Sequence, residues 1–298
     1  MLRIGKAEFN GVNANAANYI CGIRILIRSI RIMTIGGLQK FSLLDYPGCV
    51  SAIIFTQGCN FRCQFCYNPM LVWPHRSAFA SAAVKTMADK KAIADEVGKS
   101  KYALGHEAGR QKDHPAIKED DLFDFLASRV GKLDAVVITG GEPCLQPDLP
   151  EFTRKIKKLG FLVKLDTNGS YPTTLAKLIK EKLIDYIAMD IKAPAEKYAE
   201  ITGQKAGFDK VKKSVKLIIN SGLPYEFRTT VVPGLLAEDD IKEMGKLIKG
   251  ADKWYLQNFK SNLELVAKEL KGRVPYNARQ MNEMAELGAK FVKKCEVR

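Results

Sequence analysis

The stretch Ala135–Pro143 reads AVVITGGEP and decides the fold class of this chain. Its first five residues form a continuous apolar run rich in β-branched side chains, which is typical of a strand buried on both faces. A helical pattern follows at Leu149–Leu159. A short buried strand followed by a helix of this length indicates a βαβ unit in a parallel sheet.

The same alternation runs through most of the chain. Apolar, β-branched runs predict strands at Val50–Thr56, Ala135–Thr139, Phe161–Asp166, Tyr186–Asp190, Phe227–Val232 and Trp254–Gln257. Helical patterns lie at Leu149–Leu159, Thr173–Lys182, Lys210–Ser221, Ile241–Lys249 and near Ala278–Lys294. Six such units predict an α/β fold, a partial (β/α)6 barrel with parallel strands and outer helices. A doubly wound open sheet would give a similar pattern.

The chain divides into an N-terminal extension and one predicted domain. Its 298 residues suffice for one large α/β domain or two small ones. Residues 1–32 are basic and apolar, and three interpretations of them stay open: a surface amphipathic segment, a mitochondrial-type leader, or a start codon assigned too early, with Met33 as the true start. Residues 33–298 are expected to form a single domain, with an Ala- and Lys-rich insertion at about 74–118.

Composition and charge argue against a membrane protein and a nucleic-acid-binding protein, and they favour a metal-binding one. No stretch approaches the roughly 18 uninterrupted apolar residues of a membrane span, so no membrane partner is expected. The net charge is +14, but the excess is spread along the chain rather than gathered in one patch, and no nucleic acid is expected. Seven cysteines, three of them clustered, favour metal ligation in a reducing compartment, and we expect a cytoplasmic protein.

The cluster of cysteines follows the first predicted strand directly. Gly58–Tyr67 reads GCNFRCQFCY and places Cys59, Cys63 and Cys66 at the spacing C-x3-C-x2-C. This spacing differs from ferredoxin runs and from paired zinc knuckles. Three thiolates can hold three irons of a four-iron cluster and leave the fourth iron open for chemistry. The alternative is a zinc site completed by His75, or another non-catalytic iron–sulfur protein.

Polar groups end the other predicted strands, and in a parallel barrel the chemistry collects at these ends. Each of these polar groups could instead have a purely structural role, as part of a glycine turn, an Asx turn or a salt bridge at a strand end. An uncompensated arginine at the mouth of a buried strand is costly, so a carboxylate partner is expected for it. The candidates are Gly140, Gly141 and Glu142 after the second strand, Asp166 and Asn168 after the third, Asp190 and Lys192 after the fourth, and Arg228 on the fifth.

The cysteine spacing after a strand resembles the radical S-adenosylmethionine superfamily, and the glycine–glycine–glutamate motif is similar to that of the same superfamily. The resemblance implies a [4Fe-4S] cluster on the three cysteines and S-adenosylmethionine bound at the open iron. It implies that Phe65 packs near the adenine. It further implies that Gly140, Gly141 and Glu142 contact the amino group of the methionine moiety.

Within that superfamily the chain looks most like the anaerobic ribonucleoside-triphosphate reductase activating proteins. The similarity is carried by Gly37–Gly48 (GLQKFSLLDYPG), Leu145–Leu149 (LQPDL) and Tyr225–Phe227 (YEF). It implies that Asn168, Lys192 and Arg228 lie around the ribose and carboxylate of the cofactor. It also implies that Asp166 and Asp190, with nearby backbone carbonyls, hold a monovalent cation.

The function implied is that of an oxidoreductase that generates a glycyl radical on anaerobic ribonucleoside-triphosphate reductase. An electron donor such as flavodoxin or ferredoxin would serve it. Two departures from the group are the long insertion and Gln257–Phe259, which replaces a histidine-bearing strand end. The first alternative is a radical enzyme acting on a small molecule, similar to 7-carboxy-7-deazaguanine synthase, and the second is the non-catalytic metal protein.

Overall fold

The structure is a computed structural model that describes residues 33–72, 116–204 and 207–298. The N-terminal extension and nearly all of the predicted insertion lie outside the described residues. The described strands form one sheet in sequence order, β1 to β8. Their bounds are β1 Ile35–Ser42, β2 Ser51–Thr56, β3 Ala135–Gly140, β4 Leu162–Thr167, β5 Tyr186–Asp190, β6 Tyr225–Val231, β7 Lys253–Asn258 and β8 Lys294–Val297.

Helices connect most of the strands. Their bounds are α1 Pro69–Val72, α2 Glu119–Ala127, α3 Leu149–Lys158, α4 Pro172–Lys180, α5 Ala195–Thr202, α6 Phe208–Ile219, α7 Glu238–Leu247 and α8 Ala278–Ala289. In the described part of the chain, no helix has the length and apolar character needed to cross a bilayer.

The sheet has the topology of a partial barrel. Strand β1 is antiparallel to β2, and all later neighbours are parallel. A doubly wound sheet reverses its strand order at a switch point, whereas this order is sequential throughout. The predicted six-strand parallel barrel is therefore confirmed as β2 to β7, with β1 and β8 added at its edges.

Two hydrophobic clusters pack on the two faces of the sheet. The larger one fills the space between the strands and the helices and includes Val136 and Ile138 of β3. The smaller one lies on the opposite face and joins Val137 to Ile53 and Tyr186. Alternate residues of β3 thus enter different clusters, which explains why the sequence run is continuously apolar.

One predicted boundary is wrong at the C-terminal end. The last helix was expected to reach Lys294, but α8 ends at Ala289 and residues 294–297 form β8. Strand β8 pairs in parallel with β7, with Trp254 opposite Cys295. The backbone hydrogen bonds of the last residues therefore go to the neighbouring strand and not to a continued helix.

Candidate functional site

The cysteine loop Gly58–Tyr67 is fixed by backbone hydrogen bonds near its start and at its middle. The Cys59 amide donates to the carbonyl of Val72 in α1 at 3.1 Å. The Arg62 amide donates to the carbonyl of Thr202 at the end of α5 at 2.7 Å. The loop is therefore held between two helices, and its thiols are positioned before any ligand binds.

The three thiols lie within electrostatic reach of one another. Cys63 is buried, and Cys59 and Cys66 are half-buried. Burial raises the pKa of Cys63 to about 12, although the nearby Lys192 ammonium group opposes the rise. The pKa values of the Cys59 and Cys66 thiols are raised by burial as well. Thiolates are stable in such a place only beside positive charge, which Lys192 or bound iron can supply.

The donor set fits the cluster implied by the sequence. Soft thiolate sulfurs are the usual ligands of iron–sulfur clusters, and this loop offers three. Cys144 is buried just after the end of β3, outside this loop, with the Thr167 hydroxyl 3.8 Å from its sulfur. Within the described ranges, no group of three or more His, Cys, Asp and Glu side chains is placed to hold a single metal ion. His75, the fourth ligand of the zinc alternative, lies outside the described residues.

The paired glycines after β3 allow close packing against the cysteine loop. A Cβ at Gly140, whose φ is +114°, would lie 2.4 Å from the backbone nitrogen of Thr56. A Cβ at Gly141 would lie 2.1 Å from the carbonyl oxygen of Gly58. Both glycines are required because the protein's own backbone approaches them. Their predicted contact with the methionine moiety stays a prediction.

Glu142 ties the end of β3 to the end of β4. Its side chain is fully buried. Its Oε1 accepts hydrogen bonds from the Cys144 amide at 3.0 Å and the Thr167 hydroxyl at 2.7 Å. Its Oε2 accepts from the Asn168 amide at 2.7 Å. Burial raises the pKa of this carboxyl, and the three donors oppose the rise. The structure thus assigns the carboxylate a structural role, and its predicted contact with an ammonium group stays a prediction.

Asn168 packs against the cysteine loop. Its Nδ2 donates to the Oδ1 of Asn60 at 3.1 Å and lies 4.0 Å from the sulfur of Cys59. Its Oδ1 accepts from the Ser170 amide at 2.9 Å. The Asx turn considered for this segment is therefore present, and it also holds the loop. Sequence reasoning missed Asn60, whose only signal was an amide side chain between two cysteines.

Five charged side chains form a continuous network on the strand ends, and we call it the charge network. The Lys164 ammonium group lies 2.6 Å from the Asp166 carboxylate, which lies 2.9 Å from the Arg228 guanidinium group. The same guanidinium group lies 2.9 Å from the Asp190 carboxylate, which lies 2.9 Å from the Lys192 ammonium group. Burial alone would raise the pKa values of both aspartates, but the adjacent cations outweigh it and hold them below the ordinary range. Both carboxylates are therefore ionised at neutral pH.

The charge network brings four predicted residues together and adds one that was missed. Asp166, Asp190, Arg228 and Lys192 were predicted, and Lys192 also lies 5.8 Å from the ring centroid of Phe65. The salt bridge considered as the ordinary alternative for Asp190 is present. The missed residue, Lys164, lies within a run that was interpreted only as a buried strand.

Comparisons with known proteins identify the family of the chain. The Radical SAM superfamily matches residues 53–248. A protein of Methanocaldococcus jannaschii named "Putative glycyl-radical enzyme activating enzyme MJ1227" is 31% identical over 89% of this chain and 95% of its own length. A second such protein of that organism, MJ1632, is 25% identical over 77% of this chain and 74% of its own. The pyruvate formate-lyase-activating enzyme of Clostridium pasteurianum is 27% identical over 72% of this chain and 76% of its own.

Proposed function

The chain belongs to the radical S-adenosylmethionine superfamily, and we propose that it activates a partner enzyme by generating a glycyl radical on it. Membership of the superfamily implies two cofactors, a [4Fe-4S] cluster and S-adenosylmethionine. The observation that carries the proposal is the position of the three-cysteine loop beside a charge network of net positive charge.

Cys59, Cys63 and Cys66 are the residues that would hold the cluster. When bound, the cluster would supply the one electron that the reductive cleavage of S-adenosylmethionine to methionine and a 5′-deoxyadenosyl radical requires. Lys192 stands near the thiolates of Cys63 and Cys66 and balances part of their negative charge. The loop itself needs little rearrangement on binding, because its backbone is already hydrogen-bonded to α1 and α5.

The cofactor's methionine end would lie over the charge network. Three cations and two anions leave that network with one excess positive charge. The methionine carboxylate carries one negative charge, so Lys192 and Arg228 are its natural partners. Asn168 would bind the ribose and Phe65 would pack near the adenine. Gly140, Gly141 and Glu142 would line the site on the side of the amino group, while the Glu142 carboxylate keeps its hydrogen bonds to Cys144, Thr167 and Asn168.

The radical acceptor is proposed to be anaerobic ribonucleoside-triphosphate reductase. Similarity to glycyl-radical enzyme activating enzymes over 95% of one relative's length supports a protein substrate. The segments Gly37–Gly48 and Leu145–Leu149 support that particular reductase. The 5′-deoxyadenosyl radical would take a hydrogen from a glycine Cα, which yields 5′-deoxyadenosine and the glycyl radical. Flavodoxin or ferredoxin would supply the electron, in the cytoplasm.

Deuterium labelling of the reductase tests the proposal. The reductase is prepared with glycine deuterated at Cα and incubated anaerobically with the cluster-loaded chain, reductant and S-adenosylmethionine. We expect deuterium in the 5′-deoxyadenosine and a paramagnetic resonance signal on the reductase whose splitting differs from that of the unlabelled protein. Cofactor cleavage without transfer of deuterium from the reductase would refute this acceptor, and turnover of a deazaguanine precursor would favour the small-molecule alternative.

A further inference from the structure

The monovalent cation implied by the sequence resemblance can be tested against the geometry of its two aspartates. All four of their carboxylate oxygens already accept hydrogen bonds from the chain. In Asp166, Oδ1 accepts from Lys164 at 2.6 Å and Oδ2 from Arg228 at 2.9 Å. In Asp190, Oδ1 accepts from Arg228 at 2.9 Å and Oδ2 from Lys192 at 2.9 Å. The aspartates are therefore already coordinated by cationic side chains.

The charge balance argues in the same direction. Two carboxylates face two ammonium groups and one guanidinium group, so the charge network is positive by one unit before anything binds. The further buried carboxylate near Arg228, that of Glu226, is paired with Arg298 and leaves this balance unchanged. A sodium or potassium ion would add a second unit in a site whose side chains are between 2% and 24% exposed. Like charges are expensive where water cannot screen them. The network as built fits an anionic ligand group rather than a further cation.

Lys164 is the member of the network whose position is most constrained. It lies two residues before Asp166 on β4, so both side chains project from the same face of the strand. Its side chain is 2% exposed. Its ammonium group also lies 5.9 Å from the ring centroid of Tyr186, the residue opposite it on β5. The ammonium group is thus fixed beneath Asp166, on the side away from solvent.

We propose that the Lys164 ammonium group takes the place of a bound monovalent cation at the Asp166–Asp190 pair, so that this protein binds S-adenosylmethionine without added sodium or potassium. Lys164 is a positioning residue in this account, because it acts on the cofactor through Asp166 and Arg228. The binding part of the inference rests on the proposed function. The part that concerns the aspartates themselves rests only on the geometry.

The test compares variants in three salts of equal ionic strength: potassium chloride, sodium chloride and choline chloride. Lys164→Ala removes the charge and leaves room for an ion, and Lys164→Gln replaces it should the alanine protein not fold. The matched control is Lys157→Ala, which breaks a pair of similar length, 2.7 Å to Asp185, on the outer helix α3. Titration calorimetry with S-adenosylmethionine measures the affinity for the cofactor. The unfolding temperature of the cluster-free protein shows whether a sodium or potassium ion binds at Asp166 and Asp190 and stabilises the fold.

The wild type should bind the cofactor with the same affinity in all three salts, and its unfolding temperature should be the same in all three. The Lys164 variant should bind about tenfold more weakly in choline, because Asp166 without its ammonium partner would hold Arg228 more strongly and weaken the contact of Arg228 with the cofactor carboxylate. Sodium or potassium should recover part of that affinity and raise its unfolding temperature. The Lys157 control should show neither effect of the salt.

Three results would overturn the inference. One is a wild type whose affinity or unfolding temperature depends on sodium or potassium. Another is a Lys164 variant with wild-type affinity in choline, and the third is a variant that neither ion rescues. If the wild type bound no cofactor at all, the proposed function would fail, while the unfolding temperatures would still decide the role of Lys164.

Discussion

Replacing Glu142 by glutamine tests whether this carboxylate binds the neighbouring strand or the cofactor. The carboxylate accepts three hydrogen bonds, two on Oε1 and one on Oε2. Glutamine has one acceptor oxygen and can keep at most two of them. Its amide NH2 would then face a backbone N–H, the one of Asn168 if the oxygen stays in the Oε1 position. A lost charge-assisted hydrogen bond with a buried donor left unpaired typically costs about 1.5–3 kcal/mol.

Relief from burying a charge offsets part of that cost, so we expect Glu142→Gln to lower the free energy of unfolding by about 2 kcal/mol. The assay is urea unfolding of the cluster-free protein under anaerobic conditions at neutral pH. Glu286→Gln on the exposed face of α8 is the control and should change the free energy by less than about 0.5 kcal/mol. Wild-type stability in the Glu142 variant, together with much weaker cofactor binding, would show that the carboxylate faces the ligand and does not hold the end of β4.

Three further predictions concern the cluster, the glycines and the charge network. Cys63→Ala should abolish the broad visible absorption of the reconstituted cluster, whereas Cys295→Ala should retain it; an intact spectrum in the first variant would exclude the assignment. Gly141→Ala should lower the free energy of unfolding by about 3 kcal/mol, because the added methyl group would overlap the backbone; chemical unfolding measures this, and an unchanged value would contradict the close packing. Asp190→Asn should lower the stability at pH 7 by about 3 kcal/mol. The pKa of Asp190 is depressed in the folded state. The wild type should therefore stay more stable than the variant down to about pH 4, and this difference in the free energy of unfolding should shrink as the pH falls further toward the depressed value. A difference in stability that is the same at pH 7 and at pH 3 would contradict this.

The sequence predicted a strand well where the residues of that strand alone distinguish it from its neighbours. The run Tyr186–Asp190 was located to the residue, because its four apolar residues lie between the charged residues Asp185 and Asp190. Strand β1 was not predicted, since its second and third residues are Gly36 and Gly37, which are poor strand formers, and it is only partly buried. Strand β8 has four residues and follows closely on a helix, so only its pairing with β7 defines it.

The candidate site was predictable in its residues but not in its contacts. The three cysteines are close in sequence, and their spacing alone indicated a common ligand. Glu142 and Thr167 are 25 residues apart, and nothing local shows that one carboxylate oxygen accepts from that hydroxyl. Lys164 carried a signal, a lysine within an apolar strand two residues before Asp166, yet its contact with Tyr186 follows only from the sheet register. Residue types at strand ends thus indicated chemistry, while the direction of each side chain required the structure.

The central claim is that this chain cleaves S-adenosylmethionine reductively at a three-cysteine cluster. The most direct measurement is anaerobic incubation of the reconstituted protein with dithionite and S-adenosylmethionine, followed by quantification of the products. We expect methionine and 5′-deoxyadenosine in equal amounts from the wild type, and neither from Cys63→Ala. A fully loaded, reduced wild-type protein that forms no 5′-deoxyadenosine would contradict the account.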